Sequence, residues 1–182
     1  MSSDRRGAIL TALELTSRAY ICRSGDVDVD VVGNYGTLMG GQAILRCTPF
    51  LLFDGNCAEA MRFYHQCLGG DLVLTHLADT PMKAQFPIDK HQRVINAHLN
   101  SGLIDISASD WMASPSFNPV LGNMSAPFVT SEHYDELKAA FDRLADGAEK
   151  ERFQALHEMP FGQYGQFYDR YGMQWFFVQP RP

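Results

Sequence analysis

The chain has 182 residues, of which 46% are hydrophobic and 20% are charged, as is typical of a folded globular protein. Its formal net charge of -6 gives no basic surface for nucleic acid, so we expect no nucleic-acid partner. The apolar stretch at residues 7–22 is interrupted by Glu14 and Arg18, which predicts neither a membrane span nor a signal peptide. We therefore expect a cytoplasmic protein without a membrane partner.

Residues 1–46 carry no motif that indicates a function. They contain a short helical pattern and the alternating sequence GDVDVDVVGNYG. The segment is either an extension upstream of a domain that begins near Met39 or Ile44, or an arm that packs on the domain or on a partner. We assign residues 1–46 to an N-terminal extension of unknown role and residues 47–182 to the folded domain.

Module one, residues 47–110, has the pattern strand, helix, strand, strand, strand. The apolar strand CTPFLLF precedes a helix with Asn56 as predicted N-cap, Glu59 at the capping-box position and Gly69 as terminator. The strand DLVLTHL, a Pro-containing loop and the hairpin NAHLNSGLIDIS complete the module.

The hairpin has a polar and an apolar face. A two-residue turn at Ser101-Gly102 would place His98 directly opposite Asp105. Since side chains alternate along a strand, Asn96, His98, Asp105 and Ser107 would then share one face.

Module two, residues 124–178, repeats the pattern, with Ser131 as predicted N-cap of its helix and a hairpin around Tyr171-Gly172. Three residues of module one recur 78 positions later: Phe50, Phe63 and Gly69 as Phe128, Phe141 and Gly147. Aligning Gly102 with Gly172 puts Tyr168 at the place of His98 and Trp175 at that of Asp105.

Several short motifs resemble one group of known proteins. They are DGN, EA and FY within residues 54–64, AH at 97–98, SD at 109–110 and D-x-[YF]-G-x-x-W at 169–175. The chain resembles the vicinal oxygen chelate superfamily (glyoxalase, bleomycin-resistance and dioxygenase proteins), and more narrowly its PhnB-like, demethylubiquinone methyltransferase-like branch. The resemblance implies an α+β fold of two tandem βαβββ modules forming a curved mixed sheet around a cavity, often completed by a second chain as a homodimer.

Metal-using relatives would hold a divalent ion through a His near the start of each module and a Glu on each last strand. Neither TPFLLF nor SAPFVT contains a His, and Phe176 stands where the second Glu would be expected. His98 and Asp105 alone would make two ligands, which His76 or a second chain would have to complete. We assign no metal ligand and no cofactor, and a divalent metal stays open as an alternative.

The candidate site residues follow from the hairpin and from the alignment of the modules. His98 and Asp105 are a candidate catalytic acid/base pair or a structural cross-strand pair. We predict ligand contacts for Asn96, Ser107, Tyr168 and Trp175, although the pattern favours an ordinary aromatic core for the two aromatic residues.

The leading functional hypothesis is a protein that binds a small organic ligand in the cavity between the modules. The alternatives are a metal-dependent lyase or dioxygenase and a non-catalytic dimeric scaffold. No Gly-rich nucleotide turn follows the first strand, so the residues themselves do not indicate methyl transfer.

Overall fold

The computed structural model describes residues 48–102, 104–112 and 119–181, and the predicted extension at residues 1–46 lies outside these ranges. Module one contains β1 (Phe50–Phe53), α1 (Cys57–Leu68), β2 (Asp71–His76), β3 (Val94–Asn100) and β4 (Asp105–Asp110). Module two contains β5 (Phe128–Thr130), α2 (Tyr134–Leu144), β6 (Gln154–Met159), β7 (Gly162–Tyr168) and β8 (Gln174–Pro180). The predicted Pro-containing loop between β2 and β3 forms three short 3₁₀ turns, Leu77–Asp79, Pro81–Gln85 and Ile88–Lys90.

Each module forms its own four-stranded mixed sheet, with strand orders β1-β4-β3-β2 and β5-β8-β7-β6. In both sheets the first strand pairs parallel to the last strand of its module, and the other pairs are antiparallel. The predicted α+β fold of two βαβββ modules is confirmed, with its strands divided between two sheets.

The residues that recur at 78 positions occupy equivalent places in the two modules. Phe63 and Phe141 are both buried on their helices. Gly69 and Gly147 follow α1 and α2 with φ of 73° and 76°, a conformation that side chains with a Cβ rarely adopt. The weak repeat in sequence is therefore a repeat in structure.

Both helices pack on one face of the sheets and share a single hydrophobic core. Fully buried residues such as Leu99 of β3, Leu144 of α2 and Phe177 of β8 belong to it. Each side chain of this size contributes about 2 kcal/mol by leaving water. The opposite face of each sheet, which we call the open face, carries the candidate site.

The start of α1 differs from the predicted capping box. Asn56 occupies the N-cap position, but its side chain makes no cap hydrogen bond. Asp110 replaces it, because its Oδ1 accepts from the N–H groups of Gly55 at 2.8 Å and Cys57 at 3.0 Å. A carboxylate brought in from β4 thus satisfies donors at the helix start, and the predicted Asn56–Glu59 capping box is wrong.

The start of α2 also differs from the prediction. The helix begins at Tyr134 with His133 at the N-cap. Ser131, the predicted N-cap, instead accepts the His133 N–H on its Oγ at 3.0 Å. The hydroxyl stabilises the turn before the helix, so the predicted cap lies two residues too early.

Candidate functional site

The β3–β4 register differs from the one predicted for the hairpin. Asn100 lies opposite Asp105, and His98 lies opposite Ser107. The predicted direct pairing of His98 with Asp105 is therefore wrong. The connection spans residues 101–104 instead of a two-residue turn.

Polar contacts within the connection explain its length. The Ser101 N–H donates to the Ile104 carbonyl at 3.1 Å, and the Ile104 N–H donates to Ser101 Oγ at 3.2 Å. The Gly102 N–H donates to Asn100 Oδ1 at 3.1 Å, with a Gly102 φ of 76°. Side chains thus satisfy the backbone groups of a longer loop.

The shift leaves the polar face intact because it changes the pairing by two residues. His98 and Asp105 become diagonal neighbours on the open face, and His98 Nε2 lies 2.5 Å from Asp105 Oδ1. Their side chains are 16% and 30% exposed. Asn96 and Ser107 lie on the same face by alternation along β3 and β4.

The short contact has a chemical consequence for the imidazole of His98. A carboxylate oxygen can only accept, so we assign the hydrogen between the two groups to Nε2. In this tautomer the Nε2–H group donates to Asp105, which orients the ring. Asp105 therefore holds the imidazole in a defined orientation on the open face.

The open face of module two is lined by amides and aromatic rings. Tyr168 lies opposite Gln174, and its hydroxyl donates to Gln174 Oε1 at 2.9 Å. The guanidinium carbon of Arg152 stands 3.7 Å from the centre of the Tyr168 ring. These residues border a cleft of about 280 Å³, whose lining is Glu151, Arg152, Phe153, Gln154, Gln166, Tyr168 and Gln174.

Trp175 does not share this face, which corrects the predicted placement. It lies opposite Phe167, is fully buried, and donates its Nε1–H to Asp169 Oδ2 at 2.9 Å. The β7–β8 connection, residues 169–173, is one residue longer than residues 101–104 of module one. The extra residue reverses which side chains of β8 face the helices. Trp175 is thus a core residue, placed away from the Tyr168 cleft.

Sequence reasoning did not identify the role of Asp169. Its buried carboxylate accepts hydrogen bonds from the Tyr64 hydroxyl at 2.8 Å and from Trp175 Nε1 at 2.9 Å. It also accepts the N–H groups of Tyr171 and Met173, at 2.8 Å and 3.0 Å. Burial raises the pKa of this carboxyl, and the four donors oppose the rise. The motif D-x-[YF]-G-x-x-W was the available signal, since it contains Asp169, Tyr171 and Trp175.

The donor set does not fit a divalent metal. Within residues 48–102, 104–112 and 119–181, no three His, Cys, Asp or Glu side chains come together as a ligand group. His76 is opposite Val94 on β2, while Val73 is opposite His98, so His76 does not complete the His98–Asp105 pair. We therefore derive no step through a metal.

Comparison with known proteins identifies the family. Residues 45–178 match the family described as 3-demethylubiquinone-9 3-methyltransferase. The chain belongs to this family. It is the PhnB-like branch of the vicinal oxygen chelate superfamily, as the sequence motifs predicted. The family's descriptive name refers to methyl transfer, and we assign no such activity on that ground, because fold does not imply function.

Two solved structures illustrate the relationship of this PhnB-like chain. Protein PA1353 from Pseudomonas aeruginosa is 29% identical, with a TM-score of 0.63 over 74% of this chain and 97% of its own. The PhnB protein from Bacillus cereus is 23% identical, with a TM-score of 0.57 over 74% of this chain and 98% of its own. No curated protein matches. In the part of the chain that the structure describes, no helix has the length and apolar character needed to cross a membrane.

Proposed function

We propose that this protein binds a small organic ligand on its open sheet faces and that His98, oriented by Asp105, exchanges a proton with it. The 2.5 Å contact between His98 Nε2 and Asp105 Oδ1 carries the proposal. Asn96 and Ser107 lie on the same face and would supply neutral hydrogen bonds to the ligand, as polar groups at the edge of an apolar site commonly do.

The proposed step is a proton transfer at the imidazole. A proton moves from an acidic O–H or C–H group of the ligand to the imidazole of His98, while the ligand keeps the electron pair. Asp105 holds Nε2–H throughout and stabilises the positive charge that develops on the ring. The step needs a partly enclosed site, which agrees with the 16% exposure of the His98 side chain.

A homodimer is part of the proposal, because the open faces carry apolar side chains. Phe50 is 56% exposed and lies opposite Ser107, on the face of His98. Phe128, its counterpart in module two, is 63% exposed and lies opposite Phe176. A second copy that covers these faces would bury both rings and enclose the ligand.

The test is native mass spectrometry of freshly purified protein, followed by identification of small molecules released on denaturation. Wild type should carry a bound small molecule, and His98→Ala and Asp105→Asn should each lower its occupancy by about tenfold. Asp142→Asn removes an exposed carboxylate that pairs with Lys138 on α2 and is the matched control. Equal occupancy in wild type and both site variants would contradict the proposal.

A further inference from the structure

The cleft on module two has a chemical character of its own. Its volume of about 280 Å³ lies just below the range typical of sites for drug-sized ligands, so it fits a small molecule or one part of a larger one. Three of its lining residues are glutamines, at positions 154, 166 and 174.

The glutamines form a chain of hydrogen bonds that runs in one direction. Tyr168 donates to Gln174 Oε1 at 2.9 Å, and Gln174 Nε2 donates to Gln166 Oε1 at 3.4 Å. Gln166 Nε2 then donates to Gln154 Oε1 at 3.2 Å, and Gln154 Nε2 lies 3.3 Å from His157 Nε2. We call these five side chains the amide ladder.

The last member of the amide ladder fixes its direction. His157 Nδ1 lies 2.9 Å from the Ala155 carbonyl oxygen, which can only accept, so the ring hydrogen is on Nδ1. His157 Nε2 is therefore the acceptor for the Gln154 amide. Every amide in the ladder has its NH₂ group toward His157 and its oxygen toward Tyr168.

The ladder leaves a defined set of groups for a ligand. Within the described part of the chain, each of the three amides uses one of its two N–H groups and one of its two oxygen lone pairs. Each amide therefore keeps one N–H donor and one oxygen lone pair for a ligand. A planar partner that carries the complementary pair can bind such an amide through two hydrogen bonds, as glutamine binds adenine.

The charges around the cleft do not favour an ion. Arg152 donates to both carboxylate oxygens of Glu149, at 2.8 Å and 2.6 Å, and its guanidinium lies on the Tyr168 ring. The remaining charged lining residue is the exposed Glu151. An anion would meet two carboxylates and an arginine that is already paired.

Phe153 borders the cleft, but its ring lies on the helix side of the sheet. Phe153 is 41% exposed and stacks on Phe167 at an interplanar angle of 27°. Phe167 is buried against Phe141 of α2, so the ring of Phe153 faces away from the glutamine side chains.

We propose that the amide ladder forms a binding site for an uncharged molecule that bears an amide or an amide-like donor–acceptor pair. The inference rests on the proposed function only in that the protein is a small-molecule binder. It needs no contribution from His98 or Asp105.

The test uses benzamide and benzoate, which share a ring and differ in the neutral amide or the charged carboxylate. In ¹H–¹⁵N NMR spectra, millimolar benzamide should shift the side-chain amide signals of Gln154, Gln166 and Gln174, and benzoate at the same concentration should not. Gln166→Glu exchanges the central donor for a negative charge and should weaken benzamide binding about tenfold. Gln85→Glu makes the same change at an exposed site outside the cleft and should leave binding unchanged.

The outcomes separate this inference from the proposed function. Equal shifts with benzoate, or no shift of the ladder amides with benzamide in folded wild type, would overturn the amide site. His98→Ala should bind benzamide as wild type does. Benzamide binding together with an empty protein in native mass spectrometry would overturn the proton-transfer proposal alone.

Discussion

Asp169 joins the two modules through one buried carboxylate. Its Oδ2 accepts from Tyr64 of α1 and from Trp175 of β8, and its Oδ1 accepts two backbone N–H groups. Asp169→Asn replaces one carboxylate oxygen, which accepts hydrogen bonds, by an NH₂ group, which donates them. This NH₂ group would face the N–H or O–H donors that now bind the carboxylate. We expect a loss of about 3 kcal/mol in the free energy of unfolding, measured by urea titration. Asp146→Asn, at an exposed ion pair with Arg170, should cost less than about 1 kcal/mol, and equal losses would contradict this role.

The same carboxyl makes stability depend on pH. Burial raises the pKa of Asp169 above its ordinary value of 3.8, so the folded state holds this proton more tightly than the unfolded state. The stabilisation from this group is complete below the unfolded pKa and is lost as the pH rises through the folded pKa. The stability difference between wild type and Asp169→Asn should therefore fall in urea titrations as the pH rises above the unfolded pKa of this carboxyl. A difference that grows with pH would be the opposite result.

The thiols of α1 should be chemically inert in the folded protein. Cys57 is fully buried and Cys67 is 6% exposed, and burial raises the pKa of both thiols. We expect iodoacetamide to leave the peptides that contain them unmodified until urea unfolds the chain, as measured by peptide mass spectrometry. Equal labelling rates with and without urea would show that α1 opens readily.

At the scale of single residues, the sequence predicted which side chains share the polar face of the β3–β4 hairpin. It did not predict every contact between side chains. The polar face was predicted correctly because the observed β3–β4 register differs from the predicted one by two residues, so His98, Asp105, Asn96 and Ser107 stay on one face. The predicted position of Trp175 was wrong because the β7–β8 connection is one residue longer than the β3–β4 connection. The extra residue exchanges the two faces of β8 on which its side chains lie. The role of Asp169 depends on Tyr64, which lies 105 positions away in the chain.

The glycine pair after α1 provides a matched test at the scale of elements. Gly69 and Gly70 have φ of 73° and 90°; a Cβ on Gly69 would meet no atom within 4 Å, but one on Gly70 would lie 2.2 Å from the Asn100 carbonyl oxygen. Gly69→Ala should cost about 2 kcal/mol of unfolding free energy from backbone strain. Gly70→Ala should cost about 2 kcal/mol more, because the start of β2 would have to move away from β3. Similar losses in thermal or urea unfolding would contradict the close approach.

The elements themselves were predictable because their signals are local. Apolar spacing predicted α1 and α2, and alternation predicted the strands of both hairpins. The helix starts were less predictable. At the start of α1, Asp110 of β4 accepts the backbone N–H groups that a capping residue such as Asn56 was expected to bind. The β3–β4 register depends on side-chain contacts of Asn100 and Ser101 that turn propensities alone do not include.

At the scale of the whole molecule, the exposed open faces predict a homodimer. Light scattering at micromolar concentration should give a mass of about twice the 20.4 kDa of one chain. Phe50→Asp or Phe128→Asp should shift the mass toward the monomer, because each places a charge on an apolar face. Ile88→Asp, at an 83% exposed site on a 3₁₀ turn, is the control. A monomeric wild type would contradict the dimer.

The N-terminal residues allow a second prediction at this scale. Deletion of residues 1–38 should leave a folded domain, because the family match begins at residue 45 and every described helix and strand lies beyond it. Thermal unfolding of the truncated protein should remain cooperative, with a midpoint close to that of the full chain. A large fall in the midpoint would instead assign the segment a structural role.

The most direct measurement of the central claim is the ¹⁵N NMR signal of the His98 ring in protein as purified and in protein stripped of small molecules by unfolding and refolding. If His98 exchanges a proton with a ligand under the control of Asp105, its ring nitrogen signals should differ between the two preparations. The difference should disappear in Asp105→Asn, and the signal of the exposed His133 should not change in any preparation. A His98 signal that is identical in loaded and stripped wild type would contradict the claim.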